Sequence, residues 1–152
     1  MLRNITISIL LIFVFAFTYS QGNFNLIKLK SDKIKFQLIN NLIIVPVEVN
    51  GVTLSFLLDS GVNKPILFNI VNLSDSLQLN KVQTVYLNGL GSEGTIEALK
   101  STNNVVKVGE AINVNQEIYV IFDEAINFAP RLGIHIHGII GYDLFKDFIV
   151  EI

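Results

Sequence analysis

The feature of this chain that most invites chemistry is an aspartate delivered to the end of an apolar stretch: Phe56-Leu57-Leu58 runs straight into Asp59-Ser60-Gly61. A carboxylate carried to the end of a buried strand costs free energy unless something partners it or uses it. The tripeptide alone says little, because Asp, Ser and Gly are ordinary turn formers. Cysteine is absent, which excludes thiol nucleophiles, disulfide frameworks and zinc-finger spacings, so any catalysis must use oxygen or nitrogen groups. The two histidines, His135 and His137, would share one face of a strand, as a metal could require. A zinc site needs a third ligand, such as Asp123 or Glu124, and nothing in the spacing nominates one. The preferred reading is an alternating strand with Ile134 and Ile136 inward, and neither metal nor cofactor is expected.

A second element gives Asp59 a context. Ile139-Ile140-Gly141-Tyr142-Asp143 begins its glycine 141 − 59 = 82 residues beyond the acid. Between the two lies Asn88-Gly89-Leu90-Gly91-Ser92-Glu93-Gly94, with three glycines in seven residues, the composition of a mobile hairpin tip that allows close backbone approach. In this order the three segments resemble the retropepsin-like aspartic proteases, specifically their small bacterial exported branch. The resemblance covers roughly Leu42 to Ile152. It implies a catalytic Asp59, with Ser60 orienting it by hydrogen bonds and Gly61 letting the turn pass close to a partner. Gly141, with Ile139 and Ile140, would support that turn from below, and the hairpin Asn88 to Gly94 would fold over an extended peptide as a flap and add main-chain hydrogen bonds. Val62 stands where better-known members carry Ala or Ser, which puts a larger side chain beside the site.

The chemistry implied needs two acids. Carboxylates about 3 Å apart at an effective dielectric near 20 repel by roughly 5–6 kcal/mol, about four pKa units, so one stays protonated while the other ionises. Such a pair holds a base that takes a proton from water and an acid that protonates the tetrahedral intermediate. This chain has one Asp-Ser-Gly, and Asp32, Asp75, Asp123, Asp143 and Asp147 lack its context. The second acid must come from another lobe. By the resemblance that lobe is a second copy of the chain, since a twofold axis brings like residues together.

Composition narrows the class. The 152 residues allow one compact domain, 51% are hydrophobic, and 16% are charged against the roughly 25% usual in soluble domains. Eleven basic against thirteen acidic residues give a formal charge of −2, with no basic run to follow a phosphate backbone, so nucleic acid is not an expected partner. Much of the mean hydropathy of +0.53 sits at the N-terminus. There Arg3, the apolar run Ile5 to Phe17 and small residues in Thr18-Tyr19-Ser20 read as a secretory signal cleaved before Gln21. Residues 1–20 are therefore expected to be a signal peptide. Removing Arg3 with them takes the charge from −2 to −3. Residues 21–152 would be an exported, periplasmic or secreted domain, free of the membrane once processed. Eleven Phe and four Tyr scatter as core fillers. Asn72-Leu73-Ser74 matches a glycosylation acceptor.

The positioning elements read as strands. Asn50-Gly51 between two apolar runs predicts a hairpin over Leu42 to Leu58, with Pro46 marking an edge or a bulge. A second hairpin is expected from Lys81–Leu87 and Thr95–Leu99. Further strands are expected at Val105–Val108, Ile112–Phe122, Ile134–Ile140 and Phe148–Ile152. Turns are expected at Asn103-Asn104 and Gly109-Glu110, a loop over Phe128–Leu132, and a helical turn or two over Tyr142–Asp147. The expected fold is all-β, a closed retropepsin-like barrel forming one lobe, with a flap hairpin and a short C-terminal helix, and the resemblance implies a further strand after Ile152. The leading functional expectation is an aspartic endopeptidase acting on a peptide or protein substrate as a homodimer or with a second lobe. The alternative is a non-catalytic peptide-binding or assembly lobe of the same fold, and an unrelated exported β-sandwich is the third.

Overall fold

The computed structural model describes residues 23–28, 30–68, 70, 73, 76–88, 95–122 and 132–152. The expected signal peptide, the hairpin tip 89–94 and most of the expected loop near Phe128 lie outside them. The described residues form nine strands, β1 (Asn25–Leu26), β2 (Gln37–Ile39), β3 (Leu42–Val49), β4 (Val52–Asp59), β5 (Ile66–Leu67), β6 (Gln83–Asn88), β7 (Thr95–Val108), β8 (Ala111–Ile121) and β9 (Gly138–Gly141). A single helical turn, α1 (Tyr142–Phe145), follows.

The hairpin β3–β4 forms where the sequence predicts it, because Asn50 and Gly51 both take positive φ (48° and 89°), the backbone that a two-residue turn needs to match strand twist. Six strands then close a barrel: β8 pairs β5, β5 pairs β9, and β9 pairs β4. The chain continues round from β4 to β3, from β3 to β7 and from β7 back to β8. The short strands β1, β2 and β6 add to β8, β3 and β7 outside this ring. Both expected features, all-β architecture and a barrel with a short helix, are present.

Pro46 sits at an edge only locally. Opposite it, Ser55 directs its amide and carbonyl to His137, so Pro46 and Ser55 form a non-hydrogen-bonded pair across β3–β4. The proline nitrogen therefore faces the gap between the β2 pairing (Leu42 to Ile44) and the β7 pairing (Glu48 and Val49), where its missing donor disrupts no ladder.

Three expectations need correction. Asn103-Asn104 is not a turn between strands but an irregularity inside the continuous fourteen-residue β7. Asn103 takes φ 61°, while the buried Asn104 amide donates to Ser101 Oγ and to the Gln116 carbonyl and its oxygen accepts from Asn50, so the strand bends around a satisfied polar knot and goes on. The expected strand Ile134–Ile140 is shorter, starting at Gly138. Upstream, His137 bonds through its backbone to Ser55 and Phe68, while Ile136 is buried in a side cluster with Ile44, Leu57 and Phe68. Residues 148–152 make no strand among the described residues; they lack a ladder partner there, and Ile149 and Ile152 are exposed.

The main core fills the barrel with Val45, Val47, Leu54, Phe56, Leu67, Val106, Ile118, Val120 and Ile140. β4 is buried on both faces, Phe56 in the main core and Leu57 in the side cluster, and β9 likewise sends Ile140 inward and Ile139 to the side cluster. Two adjacent strands packed on both sides make a stiff base for whatever stands at their ends.

Candidate active site

β4 ends at Asp59, and β9 runs parallel to it in a register that sets Phe56 beside Gly138 and Asp59 beside Gly141. At that last pair the backbones approach so closely that a Cβ on residue 141 would collide with the Asp59 carbonyl oxygen and lie 2.6 Å from its carbon. Only glycine fits there. Ile140 beneath is fully buried, and a Cβ at Gly138 would press on the Phe56 ring at 2.6 Å, so both ends of β9 are matched to β4.

Beyond the strand the chain turns tightly. The Gly61 amide donates to Asp59 Oδ1 at 2.9 Å, and the Val62 amide donates to the Asp59 carbonyl at 3.2 Å. The Val62 carbonyl in turn accepts the Tyr142 amide at 2.8 Å, tying the turn to the start of α1. Asp59, Ser60 and Gly61 are solvent-exposed. The result is a carboxylate held at the rim of the barrel, with one oxygen oriented by an amide and the group open to an incoming molecule.

A family model described as aspartyl protease matches residues 45–144, well over half of the 152. The chain belongs to this retropepsin-like aspartyl protease family. A comparison with curated proteins returns no match. The family match spans β3 through α1 and so includes the aspartyl turn, the β6–β7 hairpin and β9. Of the expected site residues, the structure sets Asp59 and the Ser60 amide against Gly141, and Ile139 and Ile140 beside Leu57 and Leu58 in the strand that leads to the acid, while Gly61 meets the Asp59 carboxylate. Asn88 closes β6 opposite Thr95, and Gly89, Leu90, Gly91, Ser92, Glu93 and Gly94 lie outside the described residues.

One acid of this aspartyl protease chain that lacks the Asp-Ser-Gly context is nonetheless built into the fold beside the site. Asp143, two residues after Gly141, is 2% exposed. Its carboxylate takes the Lys64 ammonium at 3.0 Å, the Lys146 ammonium at 3.0 Å and the Gln116 amide at 2.8 Å. Burial pushes its carboxyl up, but Gln116, Lys64 and Lys146 together outweigh burial and hold it below the usual carboxylate range. Lys146 was discoverable, being three residues on in the same helical turn. Lys64 and Gln116 reach Asp143 only through the fold.

His137 has a structural post near the site. Its backbone amide donates to the Ser55 carbonyl at 2.8 Å, while its Nδ1 accepts the Ser55 amide at 3.2 Å, which places the ring proton on Nε2. His135 is exposed beside it.

Proposed function

We propose that this chain is one lobe of an aspartic endopeptidase, in which Asp59 is paired with the same residue of a second copy to activate water against a peptide carbonyl. The observation that carries the reading is the exposed Asp59 carboxylate on a turn that Gly61, Val62 and Gly141 lock to the barrel. A rigid, accessible acid meets the positional demand of proton transfer, while a single carboxylate cannot serve as base and acid in one step. Twofold pairing supplies the other, with one proton shared between them. Ser60, exposed at the same turn, is the group that would orient the pair, and the β6–β7 hairpin would close over an extended peptide as a flap. The reading includes export through residues 1–20, which would put the substrate outside the cytoplasm. Among the described residues no helix is long and apolar enough to cross a membrane.

Hydrolysis of a peptide library by the purified protein between acid and neutral pH tests the reading. Asp59→Asn is expected to abolish cleavage, by at least about a thousandfold, with the thermal midpoint unchanged or slightly raised because a like-charge clash is gone. Cleavage that survives Asp59→Asn would remove Asp59 from the mechanism. A wild-type protein that is inactive at concentrations where it is demonstrably dimeric would leave the non-catalytic lobe as the better description.

A further inference from the structure

We infer that Asp143 and Lys64 form a clamp that positions the Asp59 turn, making both of them positioning residues for the reaction proposed above, on which this inference rests. Lys64 lies five positions beyond Asp59, and this stretch is fastened to the barrel in sequence. The Asp59 backbone abuts Gly141, the Val62 carbonyl holds the Tyr142 amide, the Lys64 ammonium holds Asp143, and the Pro65 carbonyl accepts the Tyr119 amide at 3.0 Å. Three of the four fastenings are backbone contacts. The exception is an ion pair with an unequal burial: the Asp143 side chain is 3% exposed and Lys64 35%.

A carboxylate that deep is retained only with full compensation, and Asp143 has it from three directions: Lys64 from the turn, Lys146 from α1, and Gln116 from β8. Gln116 is itself fixed, its Oε1 accepting the Asn113 amide at 2.7 Å and its Nε2 also donating to the Glu117 carbonyl. Asp143 is therefore an immobile anchor, and Lys64 the part of the turn that reaches it. Without this link the segment between Val62 and Pro65 has no side-chain tie to the barrel among these contacts, and the turn that carries Asp59 gains freedom. Misplacement of a reacting group by a fraction of an ångström lowers the rate of the chemical step more than it lowers substrate binding.

The test uses the full chain and substitutes Lys64, since Asp143 variants risk unfolding by orphaning the buried Gln116 amide and the half-buried Lys146. Lys64→Gln removes the charge while Lys146 and Gln116 still hold Asp143. Hydrogen exchange of the Gly61 and Val62 amides reports the turn whether or not the protein cleaves peptides. Lys64→Gln is expected to raise that exchange about tenfold and to lower kcat about tenfold with KM within about twofold, and Lys64→Arg to restore both. Unchanged exchange in Lys64→Gln overturns the clamp, and raised exchange with unchanged kcat overturns its role in the reaction. If wild type cleaves nothing, the protease reading fails by itself and amide exchange alone decides whether the clamp exists.

Discussion

His137 grips Ser55 through both backbone and ring, four residues before the acid at the end of the same strand, and that grip depends on an unprotonated Nδ1. Burial and the neighbouring His135 hold the imidazole below its ordinary value. The unfolded chain therefore takes up the proton first as pH falls. The contribution of this group is complete above about pH 6.5 and is lost as pH falls from there toward the lower folded value. His137→Asn offers an amide oxygen as acceptor without a titration. The drop in thermal midpoint from about pH 7.5 to about pH 5 should accordingly be smaller in the variant than in wild type; equal drops would show that His137 is not linked to folding. Asp143 behaves oppositely in range, since its depressed carboxyl keeps its contribution above about pH 4 and loses it only at lower pH. In mild acid the two posts thus diverge, β4 loosening at the half-buried His137 while the buried Asp143 anchor stays charged.

Between elements, the decisive contact is β4 against β9. Gly141→Ala places a methyl group into the Asp59 carbonyl, and the pair must part at the end where the acid stands. A loss of about 2–4 kcal/mol in denaturant unfolding is expected, together with loss of any peptide cleavage; a variant of wild-type stability would mean that the backbones are farther apart than described. This contact was legible in part, because Ile139-Ile140-Gly141 announces a buried strand ending in a close approach, but its neighbour in space was supplied by resemblance rather than by spacing. Asparagine shows where local reading stops. Asn50 with Gly51 makes the expected turn, since a positive φ at both positions has little other use. Asn103 has the same kind of φ and makes only a bend, because Asn104 is held by Ser101 of its own strand, by Gln116 of β8 and by Asn50 of the β3–β4 turn. Nothing adjacent in the chain reveals Gln116 or Asn50 as partners. The same holds for two of the three ligands of Asp143, which come from positions 64 and 116.

At the level of the whole molecule, one copy presents one Asp59, so the proposed chemistry is a property of an assembly. Cleavage per chain should fall on dilution below the dimer dissociation constant, and an excess of Asp59→Asn chains should quench wild type, because mixed pairs hold a single ionisable acid at the axis. Rates per chain that are independent of concentration and of added variant would instead place both acids within one molecule. The barrel carries a further consequence, in time rather than in space. Pairing Asp59 with Gly141 closes a loop of 141 − 59 = 82 residues, whereas the β3–β4 hairpin closes through two. Loop-closure entropy and contact order favour the hairpin early and the β4–β9 pairing late. The acid's strand therefore exists before its support does, and the turn is set only once β5 through β8 have been threaded round and β9 has slid in between β4 and β5. A nascent chain that has not yet placed Gly141 carries Asp59 on an unsecured end, so on the proposed reading the order of folding would withhold the chemistry until the barrel is whole.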